Sequence, residues 1–126
     1  MNNNKKIGNI SERKLIKLLC NNYYWSYLFP NTINGQPCDV IAFNKDTIIL
    51  IDVKHCESNR FNTSRIEPNQ LTTFEMVNKI REDIICGIVV YFYDEDIPYF
   101  IRYSKDLKKS YSKEEMILFE PILNIK

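Results

Sequence analysis

Over residues 7–21 the apolar side chains Ile10, Leu15, Leu18 and Leu19 recur at helical spacing with lysines between them, which predicts an amphipathic helix. Glu12 is the odd member of this pattern. Leu15, Ile16 and Leu19 lie three, four and seven positions beyond it, so its carboxylate sits at the rim of the apolar face and can look toward a sheet. The aromatic segment 23–29 ends at Pro30 and predicts a first strand, and the stretch 31–36, with Asn34-Gly35, predicts a turn or loop. Two β-prone runs follow, 38–43 and 47–54, joined by Asn44-Lys45-Asp46 at hairpin spacing. Side chains alternate across a strand, so Asp52 and Lys54 share a face with Ile48 and Leu50, and Asp39 shares one with Ile41 and Phe43. These charged residues can therefore converge at one edge of a sheet.

Residues 55–67 are polar, rich in Ser, Asn and Arg, and predict a loop that contains Phe61. Pro68 suits the first turn of a helix running to about residue 83, with Leu71, Phe74 and Val77 as its buried stripe and Gln70 pointing inward at its start. The runs 86–93 and 97–103 predict a second hairpin around Asp94-Glu95-Asp96. Ser112-Lys113-Glu114-Glu115 fits a capping box ahead of a short helix over 116–119. The first six residues are expected to fray, and residues 104–126 form a C-terminal extension. Helix, three strands, helix, two strands is the order of an α/β fold with a mixed central sheet flanked by helices.

Composition narrows this to one domain, residues 1–126, because a chain of this length at 44% hydrophobic content can bury a single core. Lys plus Arg number 17 against 16 for Asp plus Glu, so a nucleic-acid partner would have to be met by local basic patches. Cys20, Cys38, Cys56 and Cys86 form no CxxC or Cys/His cluster, which removes a zinc site and leaves reduced thiols. The Asn- and Lys-rich start does not resemble a signal peptide, and the apolar runs are too short for a bilayer. The expectation is no membrane partner and a cytoplasmic location, or another intracellular compartment that contains DNA.

The candidate chemistry lies in Pro37-Cys38-Asp39 and in Asp52-Val53-Lys54, which closes an apolar run thirteen residues after Asp39. Carboxylate oxygens are hard ligands suited to Mg²⁺, and a lysine beside them can hold an attacking water or a phosphate oxygen. Phosphodiester hydrolysis needs charge stabilisation and an activated water. Asp39 and Asp52 would hold the metal, the Val53 carbonyl could add a third oxygen, and Glu12 could reach it directly or through water. Lys54 would orient the nucleophile. Each motif alone has a plainer account: Asp39 as an acceptor at a strand start, Asp52 and Lys54 as a rim ion pair. Their conjunction with Glu12 and inward Gln70 favours a nuclease centre.

Other residues carry less. Arg60 and Arg65 in the predicted loop, His55 beside Lys54, and Arg13 and Lys14 on the first helix could contact DNA phosphates, as could Lys5, Lys6 and Lys17. A solvated face accounts for the lysines equally well. The run Tyr23, Tyr24, Trp25, Tyr27, Phe29 could stack on bases or pack a dimer, while sheet packing is the commoner reason for such a run.

Asp39, Asp52-Val53-Lys54 and the order of elements resemble the PD-(D/E)XK nuclease superfamily, with its restriction-endonuclease-like αβββαβ core. Gly8-Asn9-Ile10-Ser11-Glu12-Arg13 is similar to the GxxxER opening of archaeal Hjc-type Holliday junction resolvases, and Pro68-Asn69-Gln70 after a loop with Phe61 resembles RecU-type resolvases. The resemblance covers roughly residues 7–102. It implies a Mg²⁺-dependent endonuclease, with Mn²⁺ able to substitute, that makes paired symmetric nicks in a four-way DNA junction as a homodimer. The matching positions make Glu12, Asp39 and Asp52 metal-site residues, Lys54 catalytic and Gln70 a supporting residue. Asp52 stands where these resolvases usually carry Glu, Cys38 separates Pro37 from Asp39, and no long insertion of the RecU stalk kind follows the second strand. The rival readings are a nuclease acting on duplex, flap or single-stranded DNA, and a non-catalytic DNA-binding or inhibitory module on the same fold.

Overall fold

The computed structural model describes residues 3–30 and 35–124, residues 3–8 as backbone. Helix α1 spans Asn3–Asn21, four residues ahead of the expected start, and residues 1–2 and the predicted turn at 31–34 lie outside the described residues. Leu15 and Leu19 of α1 are fully buried, as their spacing requires. The helix ends as the Asn22 N–H bonds back to Leu18 and Leu19 and Tyr23 takes a left-handed backbone, φ 65°.

Strands β1 (Trp25–Leu28), β2 (Val40–Phe43) and β3 (Ile48–Cys56) form an antiparallel meander. Asn44 makes the β2–β3 turn through its side chain, whose Oδ1 accepts from the N–H groups of Asp46 and Thr47 at 2.9 and 2.8 Å. After a short β4 (Arg60–Asn62), helix α2 (Pro68–Ile80) returns the chain to β5 (Ile85–Phe92), which runs parallel to β3. Strands β6 (Tyr99–Arg102) and β8 (Ile117–Leu118) complete a six-stranded sheet ordered β1-β2-β3-β5-β6-β8.

Alternation along β3 divides the core. Ile49, Ile51 and Val53 pack with Leu15 and Leu19 of α1, while Leu50 and Cys56 pack with Phe74 of α2. The long parallel strands β3 and β5 are apolar on both faces because helices cover both.

Two expectations are corrected. The predicted loop after β3 contains β4, which pairs with β7 (Ser110–Ser112), so Phe61 is fully buried opposite Tyr111. The predicted helix over 116–119 is instead a single 3₁₀ turn, Lys113–Glu115, followed by β8. The capping box of Ser112 and Glu115 is present, but the next residues find the open edge of β6 and extend the sheet. The C-terminal extension is also part of the core, with Phe119 and Leu123 buried in the α1 layer and the Tyr24 hydroxyl donating to the Leu123 carbonyl.

Gly87 faces Arg102 across β5 and β6, and a Cβ there would collide with the Ile101 carbonyl and the Phe100 ring. Backbone cannot yield at the middle of a sheet as a flexible side chain can. Gly87→Ala is expected to cost about 1–3 kcal/mol, read as a lower urea midpoint at unchanged m-value; an unchanged midpoint would mean the strands separate without strain.

Candidate active site

The site forms where β2 begins and β3 runs on past it. Asp39 immediately precedes β2, and its N–H donates to the Ile51 carbonyl at 3.0 Å, continuing the ladder. One step further there is no β2 residue to pair with Val53, so the Asp39 carboxylate takes that role: Oδ2 accepts the Val53 N–H at 2.7 Å. Asp39 thus accepts a backbone hydrogen bond at the strand start, as its plainer account requires, and this does not compete with a metal-site role because each carboxylate oxygen has a second lone pair and Oδ1 takes no backbone donor. That atom accepts from Gln36 Nε2 at 2.6 Å. A strand residue's N–H and C=O leave on the same side, so the Val53 carbonyl also faces the Asp39 side.

Asp52 is fully buried, and neither carboxylate oxygen meets a hydrogen-bond donor. Its nearest charges are Lys54 Nζ, 3.3 Å from Oδ2 in an ion-pair contact, and the Asp39 carboxylate. Burial above all, then the neighbouring Asp39 carboxylate push the Asp52 carboxyl up to about 9, with Lys54 opposing. An ionised Asp52 needs more positive charge than Lys54 supplies. The two unpartnered oxygens of buried Asp52, with the Asp39 carboxylate adjacent and oxygen the only donor element, fit a small divalent cation.

Glu12 is half-buried on α1 within electrostatic reach of Asp39 and Lys54. Burial raises its carboxyl first and the Asp39 charge second, while Lys54 lowers it, which places all three groups in one electrostatic neighbourhood. It does not join a ready-made cage: among the described residues no three His, Cys, Asp or Glu side chains are gathered as a metal site.

Gln70 is buried at the start of α2, as its phase predicts, and its Oε1 accepts the Glu67 N–H at 3.3 Å in a capping box. The link from α2 to the site comes from its neighbour. Asn69 Nδ2 donates to the Gln36 carbonyl at 2.6 Å, and Gln36 holds Asp39. Gln36 and Asn69 are thus positioning residues that sequence reasoning missed. Their only signal was polarity beside Asp39 and beside Gln70.

The candidate DNA contacts separate into two groups. Lys14 is paired with Asp96 at 2.7 Å, Arg60 with Glu115 at 2.8 Å and with Ser110, and His55 Nε2 lies 2.7 Å from Glu57, so each already has an internal partner. Arg65 donates to the His55 carbonyl at 2.7 Å and lies over the Phe61 ring, bringing a guanidinium to the end of β3. Arg13 is exposed on α1 beside Glu12. Cys38, Cys56 and Cys86 are buried free thiols and Cys20 an exposed one, and burial pushes Cys38 up to about 12. No helix among the described residues is long and apolar enough to cross a membrane.

Residues 32–119 match a family model described as Recombination protein U. Among solved structures the chain is similar to Hjc from Archaeoglobus fulgidus, a Holliday junction resolvase from an archaeal hyperthermophile. That likeness has a TM-score of 0.71 at 12% sequence identity over 93% of this chain and 100% of the other. At that identity it carries the fold, a mixed sheet between helices. No curated protein sequence gives a significant match.

Proposed function

The chain belongs to the Recombination protein U family, a family of Holliday junction resolvases, and from that membership we propose that it is a Mg²⁺-dependent endonuclease that nicks four-way DNA junctions. The observation that carries the reading is the buried pair Asp39 and Asp52 beside Lys54, with both Asp52 oxygens unmatched by donors. A structural ion pair would not leave a fully buried carboxylate in that condition, because an unsatisfied buried acceptor costs roughly 1–3 kcal/mol and a charged one more.

Asp39, Asp52 and the Val53 carbonyl would hold Mg²⁺, with Mn²⁺ an adequate substitute, and Glu12 would act through water. When bound, the cation supplies positive charge where the phosphodiester gains negative charge and makes a nearby water more acidic. The protein does the rest. The Val53 N–H and Gln36 fix both oxygens of Asp39, so its carboxylate cannot rotate away from the site. Lys54 reaches the site from a partly exposed position, where its ammonium can hold the attacking water or a non-bridging phosphate oxygen. Burial and the Asp39 charge raise the Glu12 carboxyl, which lets it keep a proton more readily than an exposed glutamate and suits it to exchange one with a nearby water. Arg65 would hold a flanking phosphate.

Resolution of a junction takes two nicks at a fixed separation, which two identical sites in a two-fold dimer provide. The turn between β2 and β3 spans four residues, 44–47, so the dimer would hold its junction on a plain surface. Purified protein offered four-way, flap and linear duplex DNA with Mg²⁺ is expected to nick the four-way junction in paired strands at least ten times faster than the others. Equal cleavage of all three would reassign it as a general nuclease, and cleavage of none would favour a binding module.

A further inference from the structure

The site does not absorb the aromatic run of the first strand. Alternation along β1, continued to Phe29, puts Trp25, Tyr27 and Phe29 on one face, and the register sets Phe43 opposite Trp25. The four rings form a continuous series: Phe29 to Tyr27 at 5.3 Å between centroids, Tyr27 to Trp25 at 6.4 Å with planes only 7° apart, and Trp25 to Phe43 at 5.2 Å. A core would hide such a cluster, yet Trp25 is 55% exposed, Tyr27 46% and Phe43 45%.

The ladder is joined to the candidate site. The Phe29 N–H donates to the Asp39 carbonyl at 2.9 Å, which makes Asp39 the next cross-strand neighbour. Alternation along β2 also puts the Asp39 side chain on the face of Ile41 and Phe43, the ladder's own face. From Asp39 the rings lead outward for about 13 Å, four residues at roughly 3.3 Å each. That distance matches about four nucleotides at the ~3.4 Å rise of a DNA strand. At its far end Trp25 and Phe43 line a cavity of about 690 Å³ with Asn22, Asn44, Asn124 and Lys45. Amides can hydrogen-bond base edges, and a lysine can meet a phosphate.

We propose that this ladder is a stacking track for unpaired DNA bases leaving the cleavage site, a ligand class that rests on the nuclease reading above. Ring faces accept any base, and stacking is worth about 1–3 kcal/mol per base. An opened branch point supplies unpaired bases beside a scissile phosphate. A second copy of the chain is the competing occupant of the same face.

Trp25 is the chain's single tryptophan, so its emission reports directly on the track. In EDTA, titration of the wild-type protein with an oligothymidylate is expected to quench that emission saturably and more strongly than a duplex of equal length. Tyr27→Ala should bind the oligothymidylate about ten-fold more weakly or worse. Emission unchanged while a labelled oligothymidylate binds, or quenching indifferent to Tyr27→Ala, overturns the track. So does an emission change on dilution without DNA, accompanied by a dimer in sedimentation that Tyr27→Ala dissociates, because the face is then a self-interface. Quenching without cleavage of any DNA under Mg²⁺ would leave the track standing and remove the nuclease reading. Cleavage without quenching would do the reverse.

Discussion

Asp52→Asn is expected to raise the melting temperature of the metal-free protein while removing DNA cleavage. Burial and the Asp39 carboxylate lift the Asp52 carboxyl from its ordinary 3.8 to about 9. Between those pH values the folded chain holds a proton that the unfolded chain has released. This group therefore costs nothing below about pH 4, weakens the fold progressively as pH rises, and levels off above about pH 9. At pH 7, about three units above the ordinary value, the cost is on the order of 4 kcal/mol at 1.36 kcal/mol per unit. An asparagine keeps the shape, never ionises and can donate its amide to Asp39. Thermal melts in EDTA at pH 5, 7 and 9 should show the variant's advantage growing with pH. Added Mg²⁺ should then stabilise the wild type and leave the variant unmoved. A variant that melts no higher than wild type at pH 9 would mean that Asp52 is solvated in the folded protein.

Lys54→Ala is expected to slow junction cleavage by about 10²- to 10³-fold, the usual effect of removing one preorganised charge from a transition state. Junction binding should change little, because the lysine acts at one phosphate among many. The fold should also survive: burial and the Asp39 carboxylate raise the Asp52 carboxyl to about 9, which favours its neutral form at neutral pH without the lysine. Single-turnover cleavage beside a binding isotherm separates the two effects. Equal losses in both would make Lys54 an affinity residue. Lys54→Arg should recover only part of the rate, since a guanidinium fork cannot occupy the place of a compact ammonium.

How much of this was legible follows from how far along the chain each signal reaches. Period-two alternation placed Asp52 and Lys54 on one face of β3 and Asp39 on the matching face of β2, and the hairpin spacing brought them to the same end. Helical phase placed Glu12 near that end and Gln70 inside. These are properties of a few consecutive residues. Gln36 and Asn69 escaped, because nothing local says that a side chain before β2 and one opening α2 will meet. Arg60 read as a free basic residue until Glu115, fifty-five positions away, neutralised it.

The tail shows the same limit. Its capping box was correct, yet residues 117–118 became a strand because β6 offered unpaired N–H and C=O groups at the sheet edge. Sequence alone therefore determined the chemical inventory: which carboxylates and which ammonium stand at strand ends, and which faces are apolar. Tertiary structure decided their state. Burial left Asp52 without donors, Asp39 completed a ladder that β2 was too short to finish, and the ladder of aromatic rings stayed on the surface because β1 is the edge strand of its sheet. Protonation, satisfaction and exposure depend on what packs from elsewhere in the chain, and periodicity does not carry that information.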